Sequence, residues 1–302
     1  MSKILIIKTG ATGDVVRTTV LLHALKNEQI TWITAQKNKC VLPANFPALQ
    51  RILAIEDITF STFENDFFDL VLSLDDDADV LKILPFIKCK KITGAYITQE
   101  GKITYSDDSS AWFDLSLISR FSKDTADKLK YDATCSVQEY LYQMIGKTFT
   151  GEEYVLPEDT YPTFDPLLVG IEARAGERWQ TKRWNGYTEL SENLLNKGYK
   201  VRFFQERETI REYMYDIAQC GFVITGDTLA MHFALGLKIP TVAIFTCTSP
   251  VEIYDYNRMQ KVISPHLWEA WYTMTYYPLA VESITQEMVW NAVEKMLKIK
   301  RN

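Results

Sequence analysis

Apolar residues recur along this chain in two alternating rhythms. Short β-branched runs, the first of them Lys3–Lys8, lead into a polar or glycine-containing loop and then into a segment with apolar positions at helical spacing, as in Val15–Leu25. Near-continuous apolar runs of strand length are the mark of strands buried on both faces, and the helical segments supply the crossovers. The pattern therefore predicts parallel sheets covered on both sides. In the first half, further strands are predicted at Ile30–Ala35, Ile52–Ile55, Leu70–Leu74 and Lys91–Ala95, with Val137–Ile145 as a closing helix.

The rhythm stops over Thr150–Pro166, which carries Pro157, Pro162 and Pro166 among acidic and polar residues and reads as a linker between domains. It then restarts: strand Leu167–Glu172, helix Tyr187–Asn196, strand Lys200–Phe204, helix Glu206–Gln219, strand Phe222–Thr225, helix Thr228–Leu237 and strand Thr241–Phe245. The expectation is an α/β protein of two Rossmann-like doubly wound domains, one over residues 1–155 and one over 156–285. A terminal helix, Gln286–Ile299 within 286–302, would follow and pack back toward the N-terminal domain.

Composition narrows the partners. The chain has 302 residues, 47% hydrophobic and 24% charged, long enough for two average domains. A formal net charge of -6 argues against nucleic acid as the main partner, because binding that polyanion relies on a surplus of Lys and Arg. Five scattered cysteines and three histidines suit reduced thiols better than a disulfide framework or a zinc site. The opening apolar strand is too short for a secretory signal, and no apolar run approaches the roughly 18 residues that cross a bilayer. A cytoplasmic protein is expected, either free or peripheral at the inner face of a membrane.

Three stretches carry candidate chemistry. The first is the loop after the opening strand, with Thr9, Gly10, Thr12 and Gly13 leading to Asp14. Backbone amides and a helix start at the carboxyl end of a strand are where open α/β sheets bind ligands, but the spacing fits neither a dinucleotide fingerprint nor a Walker loop. Asp14 is open to two readings, a cap on the following helix or a catalytic carboxylate. The second is Thr225–His232 with its strand before and after, where Asp227 or Thr228 begins a helix whose free amides suit a diphosphate or a sugar hydroxyl. His232, one turn in, is either a packed helix histidine or a ligand contact. The third is the loop Arg174–Trp184, which gathers Arg174, Arg178, Lys182 and Arg183 in an acidic protein. Fixed positive charge there would stabilise a departing diphosphate; each arginine is otherwise a solvated surface charge.

These stretches, in this order, resemble the heptosyltransferase family, glycosyltransferase family 9. Its N-terminus has a Gly-Asp-Val/Ile step before a helix ending in Leu-Arg/Lys, matched here by Gly13-Asp14-Val15 and Leu25-Lys26. Its second motif, Asp-Thr/Ser-Gly-x-x-His followed by an Ala-rich helix and Gly-x-Pro-Thr, is matched by Asp227, Thr228, His232 and Pro240-Thr241. Lys182 with Trp184 resembles the family's Lys-x-Trp. The resemblance implies a GT-B architecture with the active site in the cleft, an acceptor-side first domain and a donor-binding second domain. It implies an inverting, metal-independent transfer of a heptose or related sugar from ADP-heptose or another nucleotide sugar, a co-substrate rather than a cofactor. Asp14 would be the general base, Asp227 would touch the donor sugar, and Lys182 with Thr228 and the following amides would hold the phosphates. Arg174, His232 and Thr248 would line the donor site, and Glu206 would contact the ribose. Thr9, Gly10, Thr12 and Gly13 would face the acceptor or a phosphate. The acceptor stays open among a glycan such as lipopolysaccharide core, a protein and a small molecule.

The chain departs from the family pattern at Leu229, which replaces a glycine where backbone approaches the diphosphate, and at Thr246-Cys247-Thr248, which replaces Gly-Pro-Thr. The alternatives are therefore a transferase with a different nucleotide-sugar donor and a catalytically silent nucleotide-sugar-binding protein. Two other features stand apart. The run Asp75–Asp79 reads as a divalent-metal motif or as acidic residues complementing a helix dipole. The aromatic segment His266–Pro278 reads as packing or as rings that stack on sugars, and no site is assigned to it.

Overall fold

The structure, a computed structural model, describes residues 1–298. The chain divides into two compact units, Met1–Glu158 and Asp159–Asn302. In unit 1 the strands β1 (Lys3–Ile7), β2 (Gln29–Thr34), β3 (Leu49–Ala54), β4 (Leu70–Ser73), β5 (Ile92–Ile97) and β6 (Ile103–Tyr105) form a six-stranded sheet in the order β3-β2-β1-β4-β5-β6. Every pairing is parallel except β5 with β6. Leu5, Ile6 and Ile7 of β1 and Val71 and Leu72 of β4 are buried, as the near-continuous apolar runs require. The edge strand β6 was not expected; its three residues are too few to show a period.

The helices of unit 1 are α1 (Thr12–Thr18), α2 (Leu21–Ala24), α3 (Ala78–Leu81), α4 (Ser110–Phe113), α5 (Lys123–Tyr131) and α6 (Val137–Met144). The single helix expected over Val15–Leu25 starts earlier and is broken in two. Thr18 donates its hydroxyl to the carbonyl of Asp14 (2.7 Å) and Thr19 to that of Val16 (2.6 Å), a competition with the backbone ladder that bends helices. The presumed linker is only partly one. Residues before Glu158 are tied into unit 1: Gln138 Nε2 donates to Tyr154 OH (3.0 Å) and the Val155 amide to Thr19 Oγ1 (2.9 Å), and Tyr154 is buried.

Unit 2 holds five parallel strands, β7 (Asp165–Glu172), β8 (Lys200–Phe203), β9 (Cys220–Gly226), β10 (Thr241–Phe245) and β11 (Met259–Ile263), in the order β11-β10-β9-β7-β8. Around them lie α7 (Tyr187–Asn196), α8 (Ile210–Ala218), α9 (Leu229–Gly236), α10 (Pro278–Glu282) and α11 (Gln286–Met296). Helix α8 starts later than expected because Thr209 and Glu212 form a capping box there. The terminal helix α11 belongs to unit 2's own core, where Val289, Val293 and Met296 join Ile224, Ile244 and Leu190. Burial of each such side chain contributes roughly 1.5–3 kcal/mol. The end of the expected segment, residues 299–302, lies outside the described residues.

Both sheets are doubly wound, and each has one place where the strand order reverses. In unit 1 that switch lies between β1 and β4, in unit 2 between β7 and β9. Ligands of open α/β sheets bind outside the carboxyl ends of the strands at such points.

Candidate functional site

At the switch of unit 1 the loop after β1 is held from two sides. Asp75, which follows β4, accepts from Lys8 Nζ (2.7 Å), from Thr9 Oγ1 (2.8 Å) and from the Thr9 amide. Asn38 donates to the carbonyls of Thr9 and Gly10 (3.0 Å each) and accepts from Thr12 Oγ1 (2.7 Å). A Cβ on Gly10 would stand 3.2 Å from Asp75 Oδ1 and 3.3 Å from Lys8 Nζ, so glycine leaves room for that ion pair. Burial works against the Lys8 ammonium, but Asp75 and then Asp14 more than offset it, and the pKa lies above the ordinary lysine value.

Asp14 does not cap α1. The N-cap is Ala11, and Asp14 sits in the first helical turn with its carboxylate 2.8 Å from Arg17 Nη2 and 34% exposed. A carboxylate there is favoured by the helix dipole and stays accessible. The acidic run beyond β4 has structural work. Asp75 clamps the loop, Asp77 caps α3 through the amides of Asp79 and Val80, and Asp79 pairs with Lys82 at 2.6 Å. Among the described residues no group of three or more His, Cys, Asp or Glu is placed to hold a metal ion.

At the switch of unit 2, Lys182 closes a 3-10 turn (Glu177–Lys182) whose backbone passes so close to β9 that a Cβ on Gly226 would lie 3.1 Å from the Lys182 carbonyl. That approach delivers Lys182 Nζ to Asp227 Oδ2 (2.6 Å) and to the Asp227 carbonyl (3.1 Å). Thr248 Oγ1 donates to the same Oδ2 at 2.8 Å, and the Trp179 ring centroid lies 5.0 Å from the ammonium. Burial by itself raises the Asp227 pKa. The Lys182 charge and hydrogen bond, with His232 and Thr248 behind them, outweigh it and hold the carboxyl well below the usual range. Asp227 is thus an anion whose second oxygen, Oδ1, is not used in this bonding.

Thr228 follows as the N-cap of α9, its hydroxyl turned to Thr225 Oγ1 (2.8 Å) rather than to the helix amides, so those amides keep their capacity for an anion. His232 is buried in the same helix.

The turn carrying Lys182 is pinned from behind. Thr246 Oγ1 donates to the Thr181 carbonyl (2.7 Å), the Tyr277 amide donates to Thr181 Oγ1 (3.1 Å), and the rings of Trp179 and Tyr272 meet at 6.1 Å. The aromatic segment is the backing of the cationic turn, a packing role. Cys247, buried between these elements, has its thiol pushed up to about 11 by burial.

Beside this cluster opens a cleft of about 640 Å³. Arg174, Glu206, Thr228 and Leu229 line it, together with Glu172 and Tyr213. Leu229 is the first residue of α9 and lines the cleft.

Residues 207–273 match the model of glycosyltransferase family 9 (heptosyltransferase), a segment that contains Asp227, Thr228, His232 and Thr248. No curated protein matches the sequence. Three solved structures resemble the chain over nearly its whole length. A family 9 glycosyl transferase from Veillonella parvula is 16% identical with a TM-score of 0.68, covering 98% of this chain and 97% of that one. Escherichia coli ADP-heptose lps heptosyltransferase II is 16% identical with a TM-score of 0.66, covering 98% of each. E. coli heptosyltransferase WaaC with ADP is 14% identical with a TM-score of 0.61, covering 98% and 99%. The family match is confined to that segment of unit 2, and the structural likenesses, at 14–16% identity, show that the chain shares the fold of these glycosyltransferases.

The structure gathers the expected residues into three groups. Thr9, Gly10, Thr12, Gly13 and Asp14 share the loop and first helical turn after β1 of unit 1; Lys182, Asp227, Thr228, His232 and Thr248 share the cluster of unit 2; Arg174, Glu206 and Leu229 share the cleft with Thr228. Arg178 and Arg183 are exposed. Sequence reasoning missed Asn38 and Glu172 and gave Asp75 no part in the loop. Asn38 carries no local signal. Glu172 does: an acid closing an otherwise apolar strand is a buried charge that needs a partner. No helix of the described residues is long and apolar enough to cross a membrane.

Proposed function

We propose that the protein is a glycosyltransferase that moves a heptose or a related sugar from ADP-heptose to an acceptor hydroxyl in one inverting displacement, with no metal. The observation that carries this reading is the Lys182–Asp227–Thr248 cluster beside the open N-terminus of α9. An ammonium beside a row of helix amides is what a departing nucleoside diphosphate needs, and together they supply the charge stabilisation that a divalent cation otherwise gives. Asp227 Oδ1 is the acceptor for a hydroxyl of the donor sugar. Asp14, accessible and beside Arg17 at the start of α1, takes the proton of the acceptor hydroxyl as it attacks the anomeric carbon. Thr9, Gly10, Thr12 and Gly13 shape the loop that presents it, and Glu206 contacts the ribose. On this reading the protein works in the cytoplasm, and peripherally at the inner face of the membrane when the acceptor is a lipopolysaccharide core.

Leu229 favours a second reading within the same class, a different nucleotide sugar, because it lines the cleft at the position where the family pattern has a glycine. A panel of ADP-heptose and UDP-, GDP- and dTDP-sugars, followed by thermal shift and by slow donor hydrolysis, decides between them. The first reading expects ADP-heptose to raise the melting temperature most. Stabilisation by none of the panel would sink both and leave a protein that does not bind nucleotide sugars.

A further inference from the structure

The guanidinium of Arg174 differs from the other cations of unit 2 in how it is held. Glu172, 4% exposed at the end of β7, accepts from Arg174 Nε (2.9 Å) and Nη2 (2.8 Å), from the Arg174 amide (2.9 Å) and from Tyr213 OH (2.5 Å). Each carboxylate oxygen thereby receives two donors, which fills its capacity. Tyr213 also lies under the guanidinium, 5.9 Å from ring centroid to Cζ, and is braced by Phe204 and Phe233. Pulling Arg174 away would strand a buried carboxylate, so the fork stays closed. Lys182 is bound differently: its partner Asp227 keeps one oxygen outside the pair, and a flexible ammonium re-aims its three donors easily.

A closed fork has two consequences. The charge of Arg174 is matched at contact distance by Glu172, which leaves little net field for a diphosphate. The side chain is nonetheless 44% exposed on the cleft, with the remaining N–H groups of its guanidinium outside the fork. Rigid donors without net charge suit neutral acceptors, such as a ring nitrogen, a base carbonyl or a ribose oxygen. The cleft's volume of about 640 Å³ accommodates a nucleoside, and the phosphate-seeking amides of α9 border it at Thr228 and Leu229.

We propose that Arg174 is a specificity-determining residue that reads a neutral acceptor on the nucleoside of the donor, with Glu172 and Tyr213 as the positioning residues that fix its guanidinium. This rests on the nucleotide-sugar reading above and reassigns Arg174 from the phosphates to the nucleoside.

Titration calorimetry on the full chain with ADP, AMP, adenosine and pyrophosphate tests it. Arg174→Gln is expected to weaken ADP, AMP and adenosine by one common factor of about tenfold, the worth of one charge-assisted hydrogen bond, and to leave pyrophosphate unchanged. Glu172→Gln is expected to weaken adenosine while tightening pyrophosphate, since the released guanidinium charge is then unmatched; a merely structural role would weaken both. If Glu172→Gln does not fold, Tyr213→Phe carries the same test, with an adenosine loss of about threefold from one missing hydrogen bond to Glu172. A loss that grows from adenosine to AMP to ADP, or an Arg174→Gln variant that binds all four probes like the wild type, overturns the inference and leaves the donor reading standing. A wild type that binds none of the four overturns the donor reading and this inference with it.

Discussion

The tripeptide Thr-Gly-Asp occurs at the switch point of each unit, as Thr12-Gly13-Asp14 and Thr225-Gly226-Asp227, and the two copies are built in different ways. In unit 1 the three residues are the first turn of α1, and the pairing of Asp14 is local, to Arg17 on the next turn. Its side chain is 34% exposed. In unit 2 the tripeptide closes β9 and precedes the helix, so Asp227 points to partners distant in sequence, Lys182 and Thr248, and is 17% exposed. A shift of a few residues in where the helix begins turns the same three letters from an accessible carboxylate into a pinned one. The first arrangement suits a group that must accept a proton, the second a group that must hold a ligand in place.

The largest expected effect falls on the accessible copy. Asp14→Asn should lower the transfer rate by about 10²–10⁴-fold, the usual worth of a general base, with donor affinity unchanged in the same preparation. A full rate in that variant would mean Asp14 is no base and that both copies are structural. Lys182→Met comes next: kcat/KM should fall by about 10²–10³-fold through lost stabilisation of the leaving group. Because it leaves Asp227 a partly buried carboxylate without its ammonium, Lys182→Met should also cost about 3 kcal/mol of stability by denaturant titration. The double variant with Asp227→Asn should recover most of that stability and none of the rate, and recovery of both would dissolve the distinction between the copies.

Asp75→Ala probes the support of the first copy. It removes three hydrogen bonds and leaves Lys8 without its carboxylate, for an expected loss of about 3 kcal/mol. The melting temperature of the wild type should not respond to Mg²⁺ or to a chelator; a response would return the acidic run to the metal motif. The smallest effect is in acid. The Asp227 pKa is depressed in the folded protein, so its pair stabilises above the unfolded carboxyl range, roughly pH 4, and that contribution is lost as pH falls through this range toward the lower folded value. Asp227→Asn should flatten the fall of melting temperature with pH below that point.

Much of this was legible in the order of the residues. The apolar runs located β1, β2, β4, β7, β8 and β10 within a residue or two, since strands buried on both faces cannot hide their composition. The motif around Asp227 and the lysine before Trp184 were legible for the same kind of reason: helix starts and cation-rich loops declare themselves in a few adjacent letters. What stayed illegible was pairing across distance. Asn38, Asp75 and Glu172 act on groups that the sheet order brings to them, and Asp75 read as part of a metal motif or as an acid complementing the next helix because its true partners, Lys8 and Thr9, are 67 and 66 residues away.

By itself, then, the sequence determined the alternation of strands and helices, the two-unit plan and the residue types offered at each strand end, because these follow from local periodicity and from the chemistry of single side chains. Tertiary structure decided which carboxylate is accessible and which is locked. That depends on strand order and on how closely backbones pass, as at Gly226 beside Lys182, and both are properties of the packed sheet rather than of any stretch of chain.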